Sequence, residues 1–117
     1  GRQTKRNEIM YGLGGFWYVY FVYGMHQMLN IVTGPQNYPA AVLIRSVAGV
    51  KGPGRVTRFY GIDRTFNKKP ASKNSGLFIE DRGVIIKPKQ IKKTTRIGVN
   101  YAGPIWNKKK YRFFIAD

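Results

Sequence analysis

Tyr18-Val19-Tyr20-Phe21-Val22-Tyr23-Gly24-Met25-His26 is the stretch whose reading decides the fold. Aromatic and β-branched side chains fill it as far as Tyr23. Such side chains pack well on a pleated sheet, and the branched ones lose rotamer freedom in a helix. With Phe16 and Trp17 in front, residues 16–23 read as a strand buried on both faces, because no polar residue alternates with the apolar ones. Gly24 permits a tight turn. Residues 29–33 read as the returning strand, 34–39 as a loop on their Gly, Pro, Gln and Asn content, and 41–47 as a third strand.

Outward from this hairpin, no Asp, Glu, Lys or Arg occurs between Glu8 and Arg45. A membrane span is nevertheless not the expectation. The apolar run 16–25 is followed by His26, Gln27 and Asn30, then Pro35, Gln36, Asn37 and Pro39. A spanning helix needs about 20 continuous apolar residues. Further on, Gly52-Pro53-Gly54 reads as a chain break, 55–60 as a short helix and Gly61 as its end. Residues 67–75 read as a polar, basic loop. Residues 77–80, 84–86, 96–99 and 111–115 read as strands, with the Lys-rich run 87–93 connecting two of them. Strands outnumber helices and no internal repeat is visible. The expected fold is α+β: a single domain over 1–117, with a curved, mostly antiparallel sheet, a protruding β-hairpin and few short helices.

Charge points to the partner. There are 21 Lys and Arg against 5 Asp and Glu, a formal net charge of +16. A single-sign excess this large repels itself and suits a polyanion. It is concentrated in three runs. Residues 51–73 hold seven cations and one acid, Asp63; residues 87–96 hold five cations; Lys108, Lys109, Lys110 and Arg112 form the third. One Lys run is ordinarily a solvated loop, but three with so little intervening acid read as a phosphate-binding face. No basic amphipathic helix is present to carry a membrane-surface reading. Hydrophobic residues at 43% suffice for a modest core, which excludes a disordered basic tail. Cysteine is absent, which excludes disulfides, a zinc ribbon and a thiol nucleophile.

Tyr23, Gly24 and Met25 at a turn tip can project an aromatic wedge into a base stack, and Tyr20 behind them can stack on an extruded base. The alternative is that all these rings are core, the usual fate of aromatic residues on strands. The residues alone leave both readings open.

The pattern Tyr18-Val19-Tyr20, Tyr23-Gly24-Met25, Leu29-Asn30 resembles the signature hairpin of the alkyladenine (3-methyladenine) DNA glycosylase family. Further pieces follow in family order: Gly1-Arg2-Gln3-Thr4 with Arg6-Asn7, Ala41-Val42-Leu43-Ile44-Arg45, Gly52-Pro53-Gly54-Arg55, Arg96-Ile97-Gly98-Val99 with Tyr101-Ala102, and Tyr111-Arg112-Phe113-Phe114. The resemblance implies a base-excision-repair enzyme that flips alkylated or deaminated purines, of the 3-methyladenine or hypoxanthine type, from duplex DNA and hydrolyses the N-glycosidic bond. It implies Tyr23 as the intercalating wedge with Met25 beside it. Tyr20 would stack on the flipped base, His26 would line the pocket, and Asn30 would lie at the purine edge. Arg45 would help to hold the attacking water. Arg2, Thr4, Lys51 and Arg55 would contact phosphates. Without the resemblance, Asn30 reads as a turn-bonding residue, His26 as a turn residue and Arg45 as a surface strand residue.

The implied partner is double-stranded DNA with a damaged purine, bound by a monomer with no cofactor, no metal and no membrane. The location would be the nucleus in a eukaryote or the cytoplasm in a bacterium. Hydrolysis of this bond passes through an oxocarbenium-like sugar, against which a carboxylate activates water. In the family that Glu, with a pocket Tyr and His, precedes the segment matching Gly1-Arg2-Gln3-Thr4. The family also has a longer charged segment before Gly-Pro-Gly and a Pro-containing closing stretch, neither of which matches here. Glu8, Asp63, Glu80 and Asp81 are the carboxylates available to stand in. Two expectations follow: an incomplete or trimmed glycosylase, or a noncatalytic basic DNA- or RNA-binding protein on the same fold.

Overall fold

Strand β1 (Trp17–Val22) and strand β2 (His26–Val32) pair antiparallel, with Trp17 opposite Ile31, Tyr20 opposite Met28 and Val22 opposite His26. Strand β3 (Ala41–Leu43) adds to β2, with Leu43 opposite Asn30. The computed structural model describes residues 11–22, 26–94 and 112–115. They fall into two compact units, Gly1–Glu80 and Asp81–Asp117.

Period-2 alternation assigns Trp17, Val19 and Phe21 to one face of the first unit's sheet, with Leu29 and Ile31 opposite them. Trp17, Val19, Leu29 and Ile62 form the buried cluster there, and Ile31, Ile44, Phe66, Ala71 and Leu77 pack against it. Each such buried side chain contributes about 1.5–3 kcal/mol. The indole N–H of Trp17 is satisfied by the Leu77 carbonyl at 2.8 Å, so the ring can be buried without an orphan donor.

The outer edge of β1 is not left open. Trp17 N–H donates to Lys69 O and Lys68 N–H to Trp17 O, both at 2.9 Å. The Asn67 side chain accepts from Val19 N–H at 2.9 Å. Residues 67–71 thus serve as a partner for an edge that would otherwise template aggregation.

β3 stops at Leu43. Ile44 packs against the core, and its N–H still bonds Leu29 O at 2.9 Å. The expected strand 41–47 is therefore two strands, because β4 (Ser46–Val47) pairs instead with β5 (Val50–Lys51) across a tight turn. Gly49 in that turn has φ +84°, a conformation that favours glycine. Helix α1 (Pro53–Tyr60) follows. The expected break at Gly52-Pro53-Gly54 is in fact a helix start, since Pro at the first helical position has a suitable φ and no N–H to waste. Gly61 ends the helix in the left-handed region, φ +65°, as expected.

Helix α1 stands beside β2 at the level that β3 does not reach. Its buried Thr57 donates its hydroxyl to the Gln27 carbonyl at 2.9 Å, which satisfies a carbonyl of β2 that no strand covers. Short 3₁₀ turns at Arg64–Phe66 and Lys73–Ser75 shape the expected basic loop. Residues 77–80 form no strand; Leu77 spends its carbonyl on Trp17 instead.

In the second unit, β6 (Ile91–Thr94) pairs antiparallel with β7 (Arg112–Ile115), Ile91 lying opposite Ile115. β6 begins within the run 87–93 expected to be a connection, while exposed residues 84–86 form no strand. The expected strand 96–99 lies outside the described residues. The class is α+β with antiparallel strands, which among the described residues form three small sheets.

Thr57→Val keeps the shape of the side chain but leaves the Gln27 carbonyl without its partner. It is expected to destabilise the chain by about 1–3 kcal/mol in urea unfolding. An unchanged midpoint would show that this bond does not tie α1 to β2.

Candidate functional site

Directly opposed residues of an antiparallel pair share a face. The register therefore gathers Tyr18, Tyr20 and Val22 of β1 with His26, Met28 and Asn30 of β2 on the side away from the Trp17 cluster. Three of the sequence-predicted site residues, Tyr20, His26 and Asn30, lie together there. At the far end of this face an open depression of about 380 Å³ is lined by Val22, His26 and Met28, and by Lys51, Gly52, Pro53, Gly54 and Arg55 at the start of α1. It brings His26 together with Lys51 and Arg55, two of the predicted phosphate contacts, both exposed.

The contact between His26 and α1 is close. A Cβ placed on Gly54 would lie 2.5 Å from His26 Nδ1 and 3.0 Å from Cγ. Only a glycine lets the helix approach the imidazole in this way. Tyr20 is half-buried, its ring 5.1 Å from that of Tyr18 and tilted by 42°. Asn30 is buried, and its side-chain amide donates to the carbonyls of Tyr18 at 3.3 Å and Met28 at 3.2 Å. Its amide is therefore anchored in the sheet rather than in a turn. Arg45 does not line the depression. It is half-buried between β3 and β4, next to Ile44, whose N–H bonds the Leu29 carbonyl. Tyr23, Met25, Arg2 and Thr4 lie outside the described residues.

The seven cations of residues 51–73 are all exposed. Arg64 lies over the Phe21 ring at 5.6 Å, on the face opposite Tyr20, and Lys69 lies over Phe66 at 5.2 Å. Of the acids, Asp63, Glu80 and Asp81 are among the described residues, and none lines the depression. Asp63 accepts from the Thr65 hydroxyl at 2.5 Å and the Thr65 N–H at 2.9 Å. Those bonds, the hydroxyl first, hold its carboxyl below the usual carboxylate range. Asp81 accepts from Gly83 N–H at 2.8 Å. Both carboxylates are engaged in local turns. Glu8 lies outside the described residues. Among the described residues no group of His and acids is placed to hold a metal ion.

Sequence reasoning did not single out Val22, Met28, Pro53 or Gly54 as lining. The signal for the first two was the alternation from Tyr20 and His26. For Gly54 it was a small residue one position after a helix-starting Pro.

A profile of the methylpurine-DNA glycosylase family matches residues 1–51 and 48–117, which together span the chain. A protein of Borreliella burgdorferi (strain ZS7), provisionally named a 3-methyladenine DNA glycosylase, is 42% identical over 128 residues, covering 100% of this chain and 68% of the relative. The chain belongs to the methylpurine-DNA glycosylase family.

Relatives with the same provisional name come from Bdellovibrio bacteriovorus, 38% identical over 99% of this chain and 67% of the relative, and from Rickettsia felis, 36% identical over 98% and 65%. The Borreliella alignment runs over 128 residues against 117 here, so that glycosylase relative has internal positions with no counterpart in this chain. The two family matches overlap at residues 48–51, the turn after β4 together with β5. This is the point at which a longer charged segment was expected in the family. Among the described residues no helix is long and apolar enough to cross a membrane.

Asn30→Ala withdraws the donor from two strand carbonyls. It is expected to cost about 1–3 kcal/mol of stability, read as a lowered urea midpoint. If the midpoint holds and only DNA binding changes, the amide serves the ligand and not the sheet.

Proposed function

We propose that this chain recognises alkylated or deaminated purines flipped from duplex DNA, and that its family's chemistry on them is hydrolysis of the N-glycosidic bond. The observation that carries the reading is the shared face of Tyr20, His26 and Asn30, with a depression at its end rimmed by the exposed cations Lys51 and Arg55. An aromatic ring, an imidazole and an anchored amide suit a flat heteroaromatic base. The rim cations suit the phosphates on either side of it. Tyr23 and Met25, in the connection between the two strands, take the role of the wedge that fills the vacated stack. Arg45 is the residue proposed to hold the water, and Arg2 and Thr4 are proposed to add phosphate contacts. A DNA substrate accounts for the +16 charge, and flipping costs least at weakened pairs, which favours damaged ones.

A second reading, binding without cleavage, is favoured by one observation: none of the three described carboxylates lines the depression. The two readings separate in one assay. The chain is incubated with a duplex carrying a single hypoxanthine, then treated with hot alkali. Cleavage at the lesion alone supports the enzyme; lesion-preferring binding without cleavage supports the binder. In either case, Tyr20→Ala is expected to reduce the preference for the lesion duplex about 5- to 100-fold, on the ordinary worth of base–aromatic stacking. Lys51→Ala and Arg55→Ala are expected to weaken lesion and plain duplex alike, each lowering the salt slope by about one. Tyr23→Ala should lower lesion preference and leave salt-sensitive binding to plain duplex intact. A Tyr20→Ala chain with undiminished lesion preference would remove Tyr20 from the pocket.

A further inference from the structure

The edge of the His26 ring that meets α1 consists of Nδ1, Cγ and Cε1, which would lie 2.5, 3.0 and 3.2 Å from a Cβ at position 54. Nε2 and Cδ2 lie farther from that position than these three atoms. Among the described residues neither ring nitrogen has a hydrogen-bond partner. Residue 26 also shares its face with Tyr20 and Asn30 and lines the depression. The start of α1 has no acid in its first turn and no side-chain cap, so its positive end is uncompensated where Nδ1 approaches it. A lone pair is favoured on the nitrogen that faces such an end, and a proton on the nitrogen that faces away.

We propose that His26 is a specificity residue for the base: Nε2–H donates to an acceptor on the edge of a neutral purine, and Gly54 is the positioning residue that fixes the imidazole for this. The inference rests on the base-pocket reading above and goes further. It names the class of lesion that gains: deaminated purines such as hypoxanthine, whose N7 and O6 accept as those of guanine do, but whose weaker pairing lets them be extruded at less cost. An imidazole whose proton is held at Nε2 discriminates through the base itself. It adds nothing to the binding of a duplex that has no base at that position.

The test measures the Kd of the 117-residue chain for three duplexes: one with a hypoxanthine, one with a tetrahydrofuran abasic analogue at the same position, and one undamaged. His26→Phe keeps a ring but removes the donor. It is expected to weaken hypoxanthine binding about 3- to 10-fold, the range of one hydrogen bond, with the other two duplexes unchanged. His26→Gln, which returns an N–H donor at the end of a side chain of similar reach, is expected to recover most of that loss. Gly54→Ala is expected to reproduce the His26→Phe loss by displacing the ring. Alanine in place of glycine within a helix is by itself favourable, so a retained melting temperature separates displacement from unfolding.

Hypoxanthine binding by His26→Phe equal to that of the unsubstituted chain overturns the proposal. So does equal weakening on all three duplexes, which marks a structural or phosphate role. Failure of His26→Gln to recover binding also counts against a donated bond. If the unsubstituted chain binds hypoxanthine and undamaged duplex alike, the base-pocket reading fails, and this inference fails with it.

Discussion

The pairing register of β1 and β2 is the constraint on which the rest of the first unit depends. With Tyr20 opposite Met28 and Val19 opposite Leu29, the odd-numbered residues of β1 face a cluster closed by Ile62, and the even-numbered ones face the other way. A slip of one residue would exchange the two faces. Trp17 would lose its bond to Leu77, and Tyr20 would enter the cluster. Three interactions fix the register against such a slip. The indole N–H is bonded to the Leu77 carbonyl, the Asn67 side chain holds Val19 N–H, and the Asn30 amide bridges the carbonyls of Tyr18 and Met28. The same bonds that secure the core therefore present Tyr20, His26 and Asn30 together on the opposite side.

Helix α1 completes that side because β3 is short. Where β3 ends, β2 has a free edge, and Thr57 takes it. The helix start is brought to His26, and only the glycine at position 54 permits so close an approach. The tight β4–β5 turn leads straight into this helix, at the place where the two family matches overlap.

Much of this was legible in the sequence. The unbroken run of aromatic and β-branched residues gave the hairpin, Gly61 gave the end of the helix, and ordered motifs gave the family. Three things were not legible, each for a physical reason. The strand expected over 41–47 divides after Leu43, because Ser46 and Val47 pair with Lys51 and Val50 instead of β2, and periodicity does not record which neighbour a strand chooses. Pro53 starts a helix where a break was expected, since the Gly-Pro-Gly composition is the same for both. β2 begins at His26, three residues before the expected strand, because His26 and Gln27 pair with Val22 and Phe21, and a polar side chain does not prevent its backbone from joining a ladder. For the site, the sequence named Tyr20, His26 and Asn30, and the register supplied their common face. Gly54 became visible only through its contact with His26.

The most direct test of the central claim is a crystal structure of this chain with a duplex carrying a single hypoxanthine. The account predicts the base out of the helix, its ring against Tyr20 and its edge towards His26 and Asn30, with phosphates beside Lys51 and Arg55. A base still stacked in the duplex, or a duplex bound across the Phe21 and Arg64 side of the sheet, would contradict it.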